Sequence, residues 1–235
     1  MKIIKKIIVK IVHFLGYDVI RISKDYNRNF IGLNNLSIKS IIDVGANRGQ
    51  FAREAIKAFP NASIYCFEPG EKAYLDLKKW ADAQNGRVSV FNLALGDKEA
   101  DLNFYEYLEN DEGSSFLRLI NPVSQTPIVI RQTTLDKFIN NLNIPLEPEI
   151  LIKIDTQGYD DRVIAGAKQT LSKSIACIAE VIFDREYHDQ GSFKKIYSLL
   201  DALGFEFVGN KEQHLSKDGD LMWSDSVFKK VVNLV

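Results

Sequence analysis

The chain has 235 residues, 46% of them apolar, with 30 Lys and Arg against 31 Asp and Glu. That length and composition suit one large buried core. The net charge of −1 gives none of the basic excess that nucleic-acid binders carry, so no nucleic-acid partner is expected.

The two cysteines, Cys66 and Cys177, sit in the apolar runs SIYCF and IACIAE without metal-ligand spacing. They read as buried thiols in a reducing compartment. No window holds the 18 or so uncharged apolar residues of a membrane span. Lysines interrupt the N-terminal MKIIKKIIVKIVHFLGY and no small-residue cleavage site follows it, so a cytoplasmic protein is expected.

Charge is nonetheless uneven along the chain. Residues 1–24 carry Lys2, Lys5, Lys6, Lys10, Arg21 and Lys24 against Asp18, a local excess of five positive charges. At 100° per residue, Ile4, Ile7, Ile8, Ile11, Phe14 and Leu15 share one face, and Lys2, Lys5, Lys6, Lys10 and His13 the other. A basic amphipathic helix ending near Gly16 is expected. Its apolar face has three competing uses: packing on the domain's own core, a homo-oligomer interface, or peripheral contact of residues 1–16 with the anionic inner membrane surface. Residues 1–37 are read as this helix and a connector, and residues 38–235 as the main domain.

From Ser40 onward a regular rhythm appears. Strands are predicted at Ser40–Val44, Ser63–Glu68 and Val88–Leu93, with helices over Gly49–Ala58 and Lys72–Ala83 between them. Short apolar strands alternating with helices form βαβ units and hence a mostly parallel sheet with helices on both faces. Residues 97–133 break the rhythm with two alternating runs, Asp101–Leu108 and Ile128–Gln132, which suggest an antiparallel excursion. A helix over Thr134–Leu142 follows, then strand ILIKID from Ile150, helix Tyr159–Leu171, strand IACIAEVIF and helix Phe193–Leu203. The final strands, near Phe205–Val208 and Ser226–Lys230, follow one another without a helical crossover and are read as an antiparallel hairpin.

The first strand runs into IIDVGANRGQF, a loop with Gly45 and Gly49. A dinucleotide fingerprint would place glycine at 47 and 50, where this chain has Asn47 and Gln50, so pyrophosphate and an NAD(P)-dependent oxidoreductase are disfavoured. The second strand ends in Phe67-Glu68-Pro69, 25 positions beyond Asp43, where an acid can accept both hydroxyl hydrogens of a ribose. A ribose acceptor without a phosphate cradle suits a phosphate-free nucleoside, and S-adenosylmethionine fits, with Asp43 helping to hold its ammonium. The bland alternative is a tight turn at Gly45 and Gly49 beside a solvated Glu68.

The ordered segments IIDVGANRGQF, CFEP, FNLALGD, a GSS turn, TLDKF, ILIKIDTQGYDDRVIAGA and IAEVIF resemble the FkbM family of S-adenosylmethionine-dependent methyltransferases, over roughly residues 38–230. The resemblance implies a class I methyltransferase (Rossmann-like) sheet of seven strands with the last antiparallel. It further implies that Asp43, Gly45, Ala46, Asn47 and Gly49 surround the methionine end of the cofactor. Glu68 and Pro69 would meet the ribose, and Asn92, Ala94 and Leu95 would border the adenine. Gly113, Ser114, Ser115 and Tyr187 would line the acceptor site, by family analogy alone.

Methyl transfer is an in-line displacement in which the protein places the acceptor oxygen and takes its proton. Strand alternation in LIKIDTQGYD puts Leu151, Lys153 and Asp155 on one side, with Asp155 at the carboxyl end. Asp155 is the candidate base or acceptor-orienting group, and Lys153 its electrostatic support, since a lysine inside a buried strand needs a partner. The competing reading is a purely structural ion pair. Glu180 is placed to face the same cleft as an acceptor-side residue. His188, in the polar loop DREYHDQ, is a second candidate base. Oxygens of Asp155, Asp160 or Glu180 would suit Mg²⁺, but no spacing demands a metal and none is expected. The expected activity is O-methylation of a hydroxyl on a sugar, polysaccharide precursor or secondary metabolite, a small-molecule or glycan acceptor. A methyltransferase fold that binds a nucleoside or a partner without catalysis is the alternative.

Overall fold

The computed structural model describes residues 10, 12–15, 30–33, 35–107, 113–121, 125–142 and 144–230. Apart from residues 10 and 12–15, the expected N-terminal basic helix lies outside the described residues. Residues 30–33, assigned to the connector from sequence, belong to the packed domain. Phe30 and Leu33 are fully buried, with the Phe30 ring edge-on to Phe51 at 5.8 Å and to Phe59 at 5.0 Å.

The first half of the fold runs β1 (Ser40–Val44), α1 (Gln50–Ala58), β2 (Ser63–Phe67), α2 (Glu71–Ala81), β3 (Val88–Phe91) and β4 (Ala94–Leu95), then β5 (Ala100–Tyr107) and β6 (Gln125–Thr133). The second half runs α3 (Leu135–Leu142), β7 (Ile150–Ile154), α4 (Asp160–Ala165), α5 (Lys168–Lys173), β8 (Ser174–Ile182), α6 (Phe193–Asp201), β9 (Phe205–Leu215) and β10 (Leu221–Lys230). The main sheet has seven strands in the order β3-β2-β1-β7-β8-β10-β9, and β10 is antiparallel to both neighbours. Strand order reverses between β1 and β7, which opens a crevice at their carboxyl ends. The 97–133 excursion forms a separate sheet, β4-β6-β5, with β5 and β6 antiparallel as expected.

Period-two alternation divides the apolar residues between two cores. Ile42, Val44, Phe67, Ile152, Ile154 and Val181 face one side, whereas Ile41, Ile64, Leu151, Ile178 and Val227 face the other. Cys177 belongs to the first core and Cys66 to the second, and both are free, buried thiols.

Two elements differ from the sequence reading. The helix expected over 159–171 is broken into α4 and α5, because Asp136 from α3 intervenes. Its carboxylate accepts bonds from Gln169 N and Thr170 N, both at 2.8 Å, and from the Thr170 hydroxyl at 2.7 Å; an acid here caps the α5 amides. The last two strands are also far longer than the apolar runs suggested. Their polar outer halves, including Lys211, Glu212, Trp223 and Asp225, rise along the crevice.

Candidate active site

The crevice is a cavity of about 590 Å³ lined from both sides of the strand-order switch, within the usual range for a small-molecule site. Its floor is set by strand register. Asp43 on β1 pairs with Lys153 on β7, and Glu180 on β8 pairs with Asp225 on β10. Four charged side chains thereby share one face, above the apolar Ile41, Leu151, Ile178 and Val227 of the same strands.

One end of the crevice is made of main-chain turns. Gly45 adopts φ 76°, and a Cβ there would overlap the Asp155 carbonyl oxygen, so only glycine permits this approach of the first loop to the end of β7. Asn47 is also left-handed, at φ 46°. Its N–H donates to Glu68 Oε2 and Gly70 N–H donates to Glu68 Oε1, both at 2.7 Å. Two amides thus fix the orientation of the Glu68 carboxylate, an acceptor suited to a ribose hydroxyl. Asp43 is almost fully buried, and its Oδ2 has no hydrogen-bond partner among the described residues. A buried carboxylate oxygen without a donor is a ready acceptor for an ammonium. Burial, opposed by Lys153 and reinforced by Asp155, Glu68 and Asp225, pushes Asp43 up to about 7.

Ala46, Pro69, Ala94 and Leu95 line the cavity as expected from sequence. Two other residues expected at the cofactor lie outside the lining. Asn92 is absent from the lining; its amide nitrogen is spent on Glu68 O at 2.9 Å and Pro69 O at 3.0 Å, and Leu93 stands in the wall instead. Gly49, at φ 85°, caps α1 and faces Leu77, while Gln50 lines the cavity. The residues present fit S-adenosylmethionine: Asp43 for the ammonium, Gly45 and Asn47 for the methionine end, Glu68 for the ribose, and an apolar slot at Leu93, Ala94 and Leu95 for the base.

The other end is built from side chains. Lys153 Nζ lies 3.0 Å from Asp155 Oδ2 and 3.0 Å from Asp225 Oδ1. Burial works against the charge, but Asp155, Asp225 and Glu180 outweigh it and hold the Lys153 ammonium well above the ordinary lysine value. Burial likewise opposes ionisation of Asp155, yet Lys153 and hydrogen bonds from Lys153, Gln157 and Glu180 keep it below the usual carboxylate range. Glu180 moves the opposite way: burial, then Asp155 and Asp160, raise it well above the ordinary value. The two acids are therefore pushed in opposite directions, Asp155 toward its charged form and Glu180 toward its neutral one.

Ser114, Ser115 and Tyr187 line the cavity beside Glu180. The Ser115 hydroxyl is already engaged, donating to Gln157 O at 2.8 Å and accepting from Leu117 N–H at 3.1 Å. His188 does not join the cluster. It is exposed and absent from the lining, and its backbone N–H bonds Arg118 O at 2.8 Å while its neighbour Tyr187 points inward. Asp225, Trp223 and Gln157 were missed in the sequence. Asp225 and Trp223 precede the apolar run that marked the last strand, and Gln157 carries no charge to draw notice. Among the described residues, no three His, Cys, Asp or Glu side chains are grouped to hold a metal ion.

Comparison with known proteins agrees with this geometry. The model of the methyltransferase FkbM domain matches residues 43–207. The 2-O-methyltransferase NoeI of Sinorhizobium fredii is 28% identical over 195 residues, covering 77% of this chain and 78% of that protein. A crystal structure of a methyltransferase FkbM from Methylobacillus flagellatus matches with a TM-score of 0.55 at 12% identity, which speaks to the fold alone. The match covers 88% of this chain and 48% of the other, so this chain spans about half the length of that structure. With the family model spanning well over half of its length, the chain belongs to the FkbM methyltransferase family and is an S-adenosylmethionine-dependent methyltransferase.

Proposed function

We propose that this methyltransferase acts on oxygen, at a hydroxyl of a sugar or polysaccharide precursor. The observation that carries the reading is the Asp155 carboxylate, held 3.0 Å from Lys153 Nζ just past the end of β7 and packed by its main chain against the Gly45 turn. S-adenosylmethionine supplies a methyl group already activated on a sulfonium. The remaining work is to orient a hydroxyl oxygen toward that methyl and to remove its proton, and Asp155 serves both. The acceptor wall supports a hydroxyl-rich ligand: Glu180 and Ser114 line it with polar side chains, and Trp223 adds an aromatic surface. The 2-O-methyltransferase name of the Sinorhizobium fredii relative points the same way.

The test is transfer of labelled methyl from S-adenosylmethionine to glycan, lipid and metabolite extracts of the producing cell. The expected product is a methyl ether on a sugar, formed about 100- to 10,000-fold more slowly by Asp155→Asn with S-adenosylhomocysteine affinity retained. Label found only on amines overturns the reading. If the acceptor is lipid-linked, the basic residues 1–16 rest on the anionic membrane surface; unchanged co-sedimentation with anionic vesicles after their deletion removes that part of the proposal.

A further inference from the structure

Gln157 stands between the acid pair and the acceptor wall, and it is held there against its own backbone preference. Its φ is 52°, a left-handed conformation that a non-glycine residue keeps only where its surroundings impose it. Its side chain makes three contacts. Nε2 lies 3.0 Å from Asp155 Oδ1 and 2.9 Å from Glu180 Oε2, and Oε1 lies 3.2 Å from Tyr187 Oη. Tyr187 Oη also lies 2.9 Å from Gly113 O, and the Gln157 carbonyl accepts from the Ser115 hydroxyl. The 113–121 segment is further joined to the 186–188 segment by Ile120 N to Glu186 O at 2.9 Å and His188 N to Arg118 O at 2.8 Å.

The residue type follows from this arrangement. One amide nitrogen carries two hydrogens, so it can bridge two carboxyl groups while the amide oxygen shares the single phenol hydrogen of Tyr187 with Gly113 O. Glutamate in that place would lose the bridge and add a negative charge, and asparagine would be one methylene too short. With Lys153 engaging Asp155 Oδ2 and Gln157 engaging Oδ1, Asp155 is held from two directions and has little freedom to rotate.

We propose that Gln157 is the positioning residue of the acceptor site: its amide locks Asp155 and Glu180 into one hydroxyl-binding pair and ties that pair, through Tyr187, to the wall formed by residues 113–121. The wall that receives the acceptor thereby sets the orientation of the carboxylate that takes its proton. This rests on the reading of Asp155 as the acceptor-side base. The other titratable groups facing the pair are Lys153 on the same strand, Asp43 on β1, Asp160 on α4 and Asp225 on β10.

Two Gln157 variants and one Tyr187 variant test it, with kcat and its pH profile as the deciding readouts. With the glycan fraction that the wild-type enzyme labels as acceptor, Gln157→Ala lowers kcat by about 100-fold, the scale of a misplaced reacting group. S-adenosylhomocysteine affinity stays within about twofold, because Gln157 lies outside the cofactor end. The acidic limb of the kcat profile moves to higher pH, since Asp155 loses a donor that favours its charge. Gln157→Glu moves the limb further in the same direction, and Tyr187→Phe lowers kcat by about tenfold, the worth of one lost hydrogen bond. A kcat within threefold of wild type and an unmoved pH profile in both Gln157 variants overturn the inference; should one variant not fold, the other decides alone by the same two readouts. If the wild-type enzyme labels no glycan, the function proposal fails by itself. Carboxylate NMR titration of the S-adenosylhomocysteine complex then decides for Gln157: displaced Asp155 and Glu180 titrations in Gln157→Ala support it, and unchanged ones overturn it.

Discussion

The two ends of the crevice are assembled on different principles. At the cofactor end, short contiguous segments supply main-chain turns, and Glu68 is fixed by the amides of Asn47 and Gly70. At the acceptor end, side chains from β7, β8, β10, the 113–121 segment and the loop after β8 converge on one lysine and one glutamine. Main-chain geometry suits a cofactor that does not change, whereas a side-chain network can be altered one residue at a time to take a different acceptor.

That contrast can be broken by substitution. The largest effect is expected at Lys153, whose removal leaves buried Asp225 and half-buried Asp155 without their cation. Lys153→Met should destabilise the protein by about 3–5 kcal/mol, read from the midpoint of urea unfolding. A loss below about 1 kcal/mol would mean that the acceptor end does not depend on this ion pair.

Asp43 tests the cofactor end through pH. Its carboxyl is raised from 3.8 to about 7 by burial, so the folded protein holds that proton more tightly than the unfolded chain does. Its stabilising contribution is complete below about pH 4 and is lost as pH rises to about 7, a difference on the order of 4 kcal/mol. Asp43→Asn should flatten that slope in unfolding measured at pH 5 and pH 8 and should weaken cofactor binding. In the wild type, an ammonium-bearing cofactor favours ionised Asp43, so S-adenosylhomocysteine affinity should fall below pH 7 with proton release on binding. Calorimetry in buffers of different ionisation enthalpy measures that release, and its absence would remove Asp43 from contact with the ammonium.

Glu68→Ala should weaken S-adenosylhomocysteine binding by about 1.5–3 kcal/mol, the worth of charge-assisted hydrogen bonds, with acceptor KM unchanged. An altered acceptor KM would show that the two ends are not separable. The smallest effect is expected at exposed His188: replacement by Ala should leave kcat and its pH profile within about twofold of wild type, because its ring lies outside the cavity lining. A larger loss would restore it as a base.

The same division governs what could be read in advance. Asp43, Gly45, Asn47 and Glu68 lie at strand ends that apolar periodicity marks clearly, and their spacing follows from the βαβ unit. Lys153 and Asp155 were legible for a related reason, as a charged pair two positions apart in a buried strand. Asp225 and Trp223 were not, since they lie on the polar half of a hairpin whose length depends on pairing with β8. His188 lies outside the crevice because a one-residue shift decides which loop side chain enters it, and Tyr187 takes that place. Asn92 lies outside the lining, where its amide meets two nearby carbonyls.

The sequence by itself determined the βαβ succession, the parallel sheet with its antiparallel last strand, the glycine turn and the acid at the end of β2, since each depends on local periodicity and on the steric limits of single residues. Only the tertiary structure decided that Lys153 is shared by two aspartates, that Gln157 bridges Asp155 and Glu180, and that Tyr187 rather than His188 meets them. Those contacts join residues between 2 and 72 positions apart, and such pairings are set by strand order and register, which no single segment encodes.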